Sequence, residues 1–115
     1  MSDVDDILTR IETLLTKYDH PGQAGVIASL KALREREPNA HRTMIQGVDV
    51  WGGAGAVWEV CLTWRVPQDP STREDERAFR SLIIALADSM DREGISTERS
   101  RYIARIFREC MRKRP

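Results

Sequence analysis

The sequence predicts a mainly α fold, a single-domain bundle of four to five helices over residues 1–115. Three observations predict it. Apolar residues recur at helical spacing along most of the chain, prolines and glycines fall between those stretches, and only one short segment alternates apolar and polar residues as a strand would. At 115 residues the chain is long enough to bury a core without disulfide or metal staples.

The first helix is the clearest. Val4, Ile7, Leu8, Ile11, Leu14, Leu15 and Tyr18 paint one apolar stripe. Ser2 and Asp5 have capping-box spacing, early aspartates suit the positive end of a helix dipole, and Asp19-His20-Pro21-Gly22 stops the helix. A second helix fits residues 22–37, with Val26, Ile27, Leu30 and Leu33 inward and Lys31, Arg34, Glu35 and Arg36 outward. Pro38 closes it, because the residue before a proline is pushed out of helical geometry. Asn39 is the expected N-cap of a short third helix that turns Met44, Ile45, Val48 and Trp51 inward.

Residues 57–66 read two ways. Trp58, Val60, Leu62, Trp64 and Val66 alternate with Val57, Glu59, Cys61, Thr63 and Arg65, which is a strand pattern. A helix starting near Ala56 would instead align Val57, Val60, Cys61 and Trp64. Helix is the expectation, because a strand here would have only the weakly patterned 43–51 to pair with; a short β-hairpin around residues 43–66 is the alternative. Residues 67–73 read as a loop, and Ser71 with Glu74 as a second capping box. The helix that follows buries Phe79, Leu82, Ile83, Leu86 and Met90 and ends at Gly94 as its C′ residue. Ser96 or Thr97 caps a last helix with Ile103, Ile106, Phe107 and Cys110 inward.

Charge is balanced, 18 basic against 18 acidic residues, so the chain as a whole is no polyanion binder. The ends differ in sign. Five acids (Asp3, Asp5, Asp6, Glu12, Asp19) dominate residues 1–19, and seven bases (Arg99, Arg101, Arg105, Arg108, Arg112, Lys113, Arg114) dominate residues 96–115. These ends would either attract each other or present two unlike surfaces. Cys61 and Cys110 lie far apart in sequence, as reduced thiols of a cytoplasmic protein would. An acidic start is unlike a signal peptide, and the run Leu82–Ala87 is too short to span a bilayer, so no membrane partner is expected.

The focal segment is Trp51-Gly52-Gly53-Ala54-Gly55-Ala56-Val57-Trp58-Glu59, which holds three of the seven glycines and two of the three tryptophans. A P-loop would need Lys-Ser/Thr after its last glycine, and a dinucleotide fingerprint would need a glycine where Trp58 stands. The segment therefore reads as a close-packed corner, in which Gly52, Gly53 and Gly55 permit close approach and a β-branched residue at Gly53 would be badly tolerated if its φ is positive. Glu59 sits among apolar residues. At the N3 position of a helix it would accept hydrogen bonds from the turn, a structural role inside the protein; a general base raised in pKa by burial is the competing reading. His20, His41, Cys61 and Cys110 do not have metal-ligand spacing, and both cysteines fall at core-facing helical positions without a basic partner. No metal, cofactor or catalytic set is expected.

Arg101, Arg105, Arg108 and Arg112 are spaced four, three and four apart. They form a stripe opposite the apolar face of the last helix, which suits solvent, a polyanion or an acidic protein.

Across Trp51-Gly52-Gly53-Ala54-Gly55-Ala56-Val57-Trp58-Glu59 the chain resembles a family of small uncharacterised bacterial proteins. Their motif is an aromatic, Gly-Gly-Met-Gly-Ser, two residues and an acid. Trp51, Gly52, Gly53, Gly55 and Glu59 match it, while Ala54 replaces the methionine and Ala56 the serine. Loss of that serine predicts a weaker local helix start. The resemblance implies an immunity or partner-binding role without enzymatic activity. The expectation is thus a protein-binding protein, with a toxin as the partner of an immunity-type antagonist, and nucleic-acid binding through the arginine stripe as the alternative.

Overall fold

A computed structural model describes residues 3–113, so the expected Ser2 cap lies outside the described residues. It is all-helical: α1 (Asp3–Lys17), α2 (Pro21–Arg36), α3 (Pro38–Ile45), the single turn α4 (Val48–Trp51), α5 (Pro70–Arg92) and α6 (Glu98–Lys113), with a 3-10 turn at Val57–Glu59. The mainly α bundle read from periodicity is the fold. No helix among the described residues is long and apolar enough to cross a membrane.

The helices neighbour one another in the order α3, α2, α1, α5, α6, and α4 joins the two ends by packing on both α2 and α6. The core follows the stripes. Val4, Leu8, Ile11 and Leu15 of α1, Ile27 and Leu30 of α2, Ile45 of α3, and Phe79, Ile83, Leu86 and Met90 of α5 are buried with Ile103 of α6.

Two helices end in the same way. After α5, Gly94 takes φ +73°, its N–H donates to the Asp91 carbonyl and that of Ile95 to the Met90 carbonyl, as Gly94 at C′ predicted. After α1, Asp19 does the same work at φ +61°, with His20 N–H donating to the Leu15 carbonyl and Asp19 N–H to the Thr16 carbonyl. Helix α2 then starts at once on Pro21, whose missing N–H and fixed φ suit a first helical position.

Two helix starts differ from expectation. Glu37, not Asn39, precedes α3, because Pro38 takes its first position. At α5 the capping box is Asp69 with Thr72, not Ser71 with Glu74, since Pro70 again takes the first position and moves the cap to the residue before it. At α6 the cap is Thr97, one of the two expected candidates: Thr97 Oγ1 accepts from Ser100 N–H and Ser100 Oγ from Thr97 N–H. Val48, expected inward, is 77% exposed, because Gly47 breaks the helix after Ile45 and resets its phase.

Residues 57–66 are neither helix nor strand. Ala56 offers no side-chain cap, and only one 3-10 turn forms where a helix was expected; residues 43–51 lie in α3, α4 and the turn between them and are unavailable as a strand partner. Nor do the two charged ends pair with each other in the ion pairs observed. Acids of α1 meet bases of α1 and α2 (Asp6–Arg10, Asp5–Arg34, Glu12–Lys31), and bases of α6 meet acids of α5.

Asp75 pins the end of α1 to α5, accepting from Lys17 Nζ at 2.8 Å and Tyr18 Oη at 2.6 Å. The Lys17 hydrogen bond, and then that of Tyr18, hold its carboxyl below the ordinary carboxylate range. A group depressed in the folded state adds stability that is complete above its unfolded pKa and fades as pH falls through the folded one. Asp75→Asn should therefore lower the melting temperature at neutral pH and flatten its fall below about pH 4. Thermal melts from pH 2 to 7 check this; an unchanged acid slope would show that Asp75 carries none of it.

Candidate functional site

The corner is built around carbonyl groups at the end of α4. Trp51 is buried, and its indole N–H donates to the Ile45 carbonyl at 2.8 Å. The Gly52 carbonyl accepts from Trp58 Nε1 at 2.6 Å and from an Arg99 guanidinium N–H at 3.1 Å, while Arg99 Nε donates to the Trp51 carbonyl at 3.0 Å. The Arg99 guanidinium also lies 5.7 Å from the Trp58 ring centre. One cation thus satisfies two orphan carbonyls and stacks on an aromatic face, so α6 is tied to the corner by its first turn.

Two glycines are required here, and neither is Gly53. A Cβ on Gly52 would stand 2.5 Å from the Val48 carbonyl oxygen, and Gly55 takes φ +89°; Gly53 has open space and no positive φ. Ala56 and Val57 are buried behind the corner, and Gln23 Nε2 donates to the Gly55 carbonyl.

Glu59 is not inside. It is exposed beside half-buried Trp58 and Val60, because the 3-10 turn ends at Glu59 and directs that side chain outward. The carboxylate that takes up backbone N–H groups is that of half-buried Glu76 on α5, which accepts from Leu62 N–H (3.3 Å), Thr63 N–H (3.2 Å) and Thr63 Oγ1 (3.2 Å). A His20 ring nitrogen lies 2.9 Å from the Leu62 carbonyl oxygen, and Gln68 Nε2 donates to the Thr63 carbonyl. Three side chains therefore supply partners that regular secondary structure would otherwise give residues 62–63. Leu62 and Thr63 are buried in consequence, and Trp64, 65% exposed, is turned outward with the Arg65 guanidinium 5.0 Å from its ring centre.

The arginine stripe lies on the exposed face of α6, as spaced in sequence. Its charge is shared. Arg101 pairs with Asp91 and Arg108 with Asp88, while Arg105 lies 5.5 Å from the ring of Tyr102, which is 47% exposed; Arg112 has no ion pair among the described residues. Exposed pairs of this kind add little stability.

Cys61 and Cys110 are free and exposed, not core-facing. Cys61 leaves the core with the collapse of the expected helix, and Cys110 lies on the last turns of α6, past the Phe107 contact. Both open onto one groove of ≈ 530 Å³ between residues 58–61 and the second half of α6. A second depression, lined by His20, Gly55 and Trp64, shares Glu59, Val60 and Cys61 with the groove. His41 lies elsewhere, buried with Nδ1 on the Leu30 carbonyl. The structure therefore disperses the histidines and brings the cysteines to a common surface.

Comparison with models of known families, with curated proteins and with solved structures returns no match for this chain.

Replacing Glu76 with Ala should cost about 1–3 kcal/mol by leaving two buried N–H groups unsatisfied, with Glu76→Gln recovering part of it, whereas Glu59→Ala should be neutral within about 0.5 kcal/mol. Gly52→Ala should also destabilise, since backbone and not a flexible side chain would have to move. Denaturant unfolding of the four variants checks the ranking, which fails if Glu59→Ala is the worst of them.

Proposed function

We propose that this chain is a small protein-binding protein whose partner docks on the face formed by α6 and residues 57–66. Display of large aromatics at the surface beneath arginines carries this reading. Trp64 and Tyr102 are largely exposed and lie under Arg65 and Arg105. Tryptophan, tyrosine and arginine concentrate the binding energy of protein interfaces. Stacking holds these side chains in place before a partner arrives, which lowers the freedom lost on binding.

The partner fits an acidic protein, and the resemblance at Trp51–Glu59 supports one particular role: an immunity-type antagonist of a toxin, acting in the cytoplasm without catalysis of its own. Nucleic acid is the second reading, favoured by the line of Arg101, Arg105, Arg108 and Arg112. Against it stand Asp88, Asp91 and Glu98, which interleave with these arginines and would face the phosphates.

Affinity capture from extracts of the native host, with the parent and a Trp64→Ala/Tyr102→Ala/Arg105→Gln variant as baits, tests the proposal. One protein should be retained by the parent and reduced about tenfold or more with the variant, whose melting temperature should match. Failure of the parent to retain a protein would overturn the reading. Retention of nucleic acid instead, lost steeply with salt and lost in an Arg101→Gln/Arg105→Gln/Arg108→Gln/Arg112→Gln variant, would replace it with the second.

A further inference from the structure

We infer that the groove between residues 58–61 and the second half of α6 receives a short acidic segment of the partner carrying a large apolar anchor. The inference rests on the reading of this chain as a protein-binding protein and adds where, and by what chemistry, the partner is gripped.

The groove is apolar at its base and cationic at its edge. Its floor is Phe79, which is buried against the core, and one side is the contacting pair of Trp58 and Phe107, with ring centres 6.1 Å apart and planes tilted by 54°, beside Val60 and Ile106. Neither ring is free to collapse inward. Trp58 is fixed by its bond to the Gly52 carbonyl and by Arg99 over its ring, and Phe107 by the helix that carries it. A volume of ≈ 530 Å³ with an aromatic lining takes a large side chain and the backbone on either side of it.

Charge selects the flanks of that segment. Arg80 and Lys113 line the groove, and neither has an ion pair among the described residues; Glu59 is the acid on its lining. Arg80 and Lys113 thus set two cations against the single carboxylate of Glu59 around the apolar lining. A carboxylate on either side of the anchor would meet them, and a basic segment would be repelled. A nucleic-acid strand would satisfy the cations, but its phosphates would have no use for the apolar floor.

The two thiols supply a local readout, because Cys61 and Cys110 line the groove from the loop and from α6 respectively. A phage-displayed random-peptide library is panned against the whole protein, and the selected peptides are synthesised. They should carry an aromatic or leucine next to aspartate or glutamate. Their binding should weaken about tenfold in an Arg80→Gln/Lys113→Gln variant, fall with salt, and slow the alkylation of both Cys61 and Cys110 by iodoacetamide. Both substitutions are of ion-pair-free cations, so the variant should melt like the parent. Failure of panning to yield a binder, selection of peptides without acids, or binding that leaves the thiols reactive would each overturn the groove. Loss of the captured partner in the Trp64/Tyr102/Arg105 variant would then leave protein binding standing without it, so the two failures are distinguishable.

Discussion

The bundle depends on the way the carbonyls of Trp51 and Gly52 are satisfied. Helix α6 packs on α5, and α3 packs on α2, so the ends of the helix series would stand open if α4 did not bridge them. A single helical turn has almost no stability of its own, because nearly all its backbone groups are terminal. It persists here because Trp51 is sunk in the core and because the carbonyls it leaves behind are taken up by the Trp58 indole and the Arg99 guanidinium. The same bonds orient Trp58 as a wall of the groove. Stability and surface are therefore made by one set of contacts, which explains why glycine is needed at Gly52: the turn must pass within van der Waals reach of Val48.

Most of the fold was legible in the sequence, and the reasons are local. Stripes such as Leu8, Ile11 and Leu15, or Phe79, Ile83, Leu86 and Met90, are long and unbroken, and the Gly94 cap is chemically unambiguous, while Ser96 and Thr97 offered the same capping chemistry at adjacent positions. The site was less legible. Residues 57–66 carry both a strand pattern and a helical one, yet adopt neither, because their backbone is claimed by Glu76, His20 and Gln68, which lie between 5 and 42 residues away in sequence. Periodicity reports which elements form from near neighbours and is blind to such side-chain capture. Glu59 was given the role of taking up backbone N–H groups on the strength of its apolar neighbours in sequence, whereas Glu76 holds it in space. A signal was present in retrospect. Glu76 stands three residues before Phe79, so it places a charge beside the apolar stripe of its own helix, where a half-buried carboxylate needs polar partners.

The polarised charges end up serving different purposes. On α1 and α2 acids and bases neutralise each other across the hairpin, and Arg34 spans from Asp5 to Glu93. On α6 the arginines are only partly matched by α5, and two are laid over exposed tyrosine and half-buried tryptophan rings. A surface that mixes paired arginines, stacked aromatics and acids offers hydrogen bonds and apolar area together, which suits the irregular face of a protein better than a uniform polyanion.

The Arg99 contact joins residues 48 positions apart, whereas α1 meets α2 across a connection of only a few residues. That difference sets an order of assembly. Closing the short hairpin costs little chain entropy, so α1, α2 and α3 can organise early, while docking of α6 on the corner must wait for α5 to return the chain across the molecule. The latch is thus a late event, and interactions made after the folding barrier act on the rate of opening. Removal of the Arg99 guanidinium should speed unfolding in stopped-flow experiments and leave refolding almost unchanged. The corner would then act as a timer as well as a joint, setting how long the binding face stays assembled once formed.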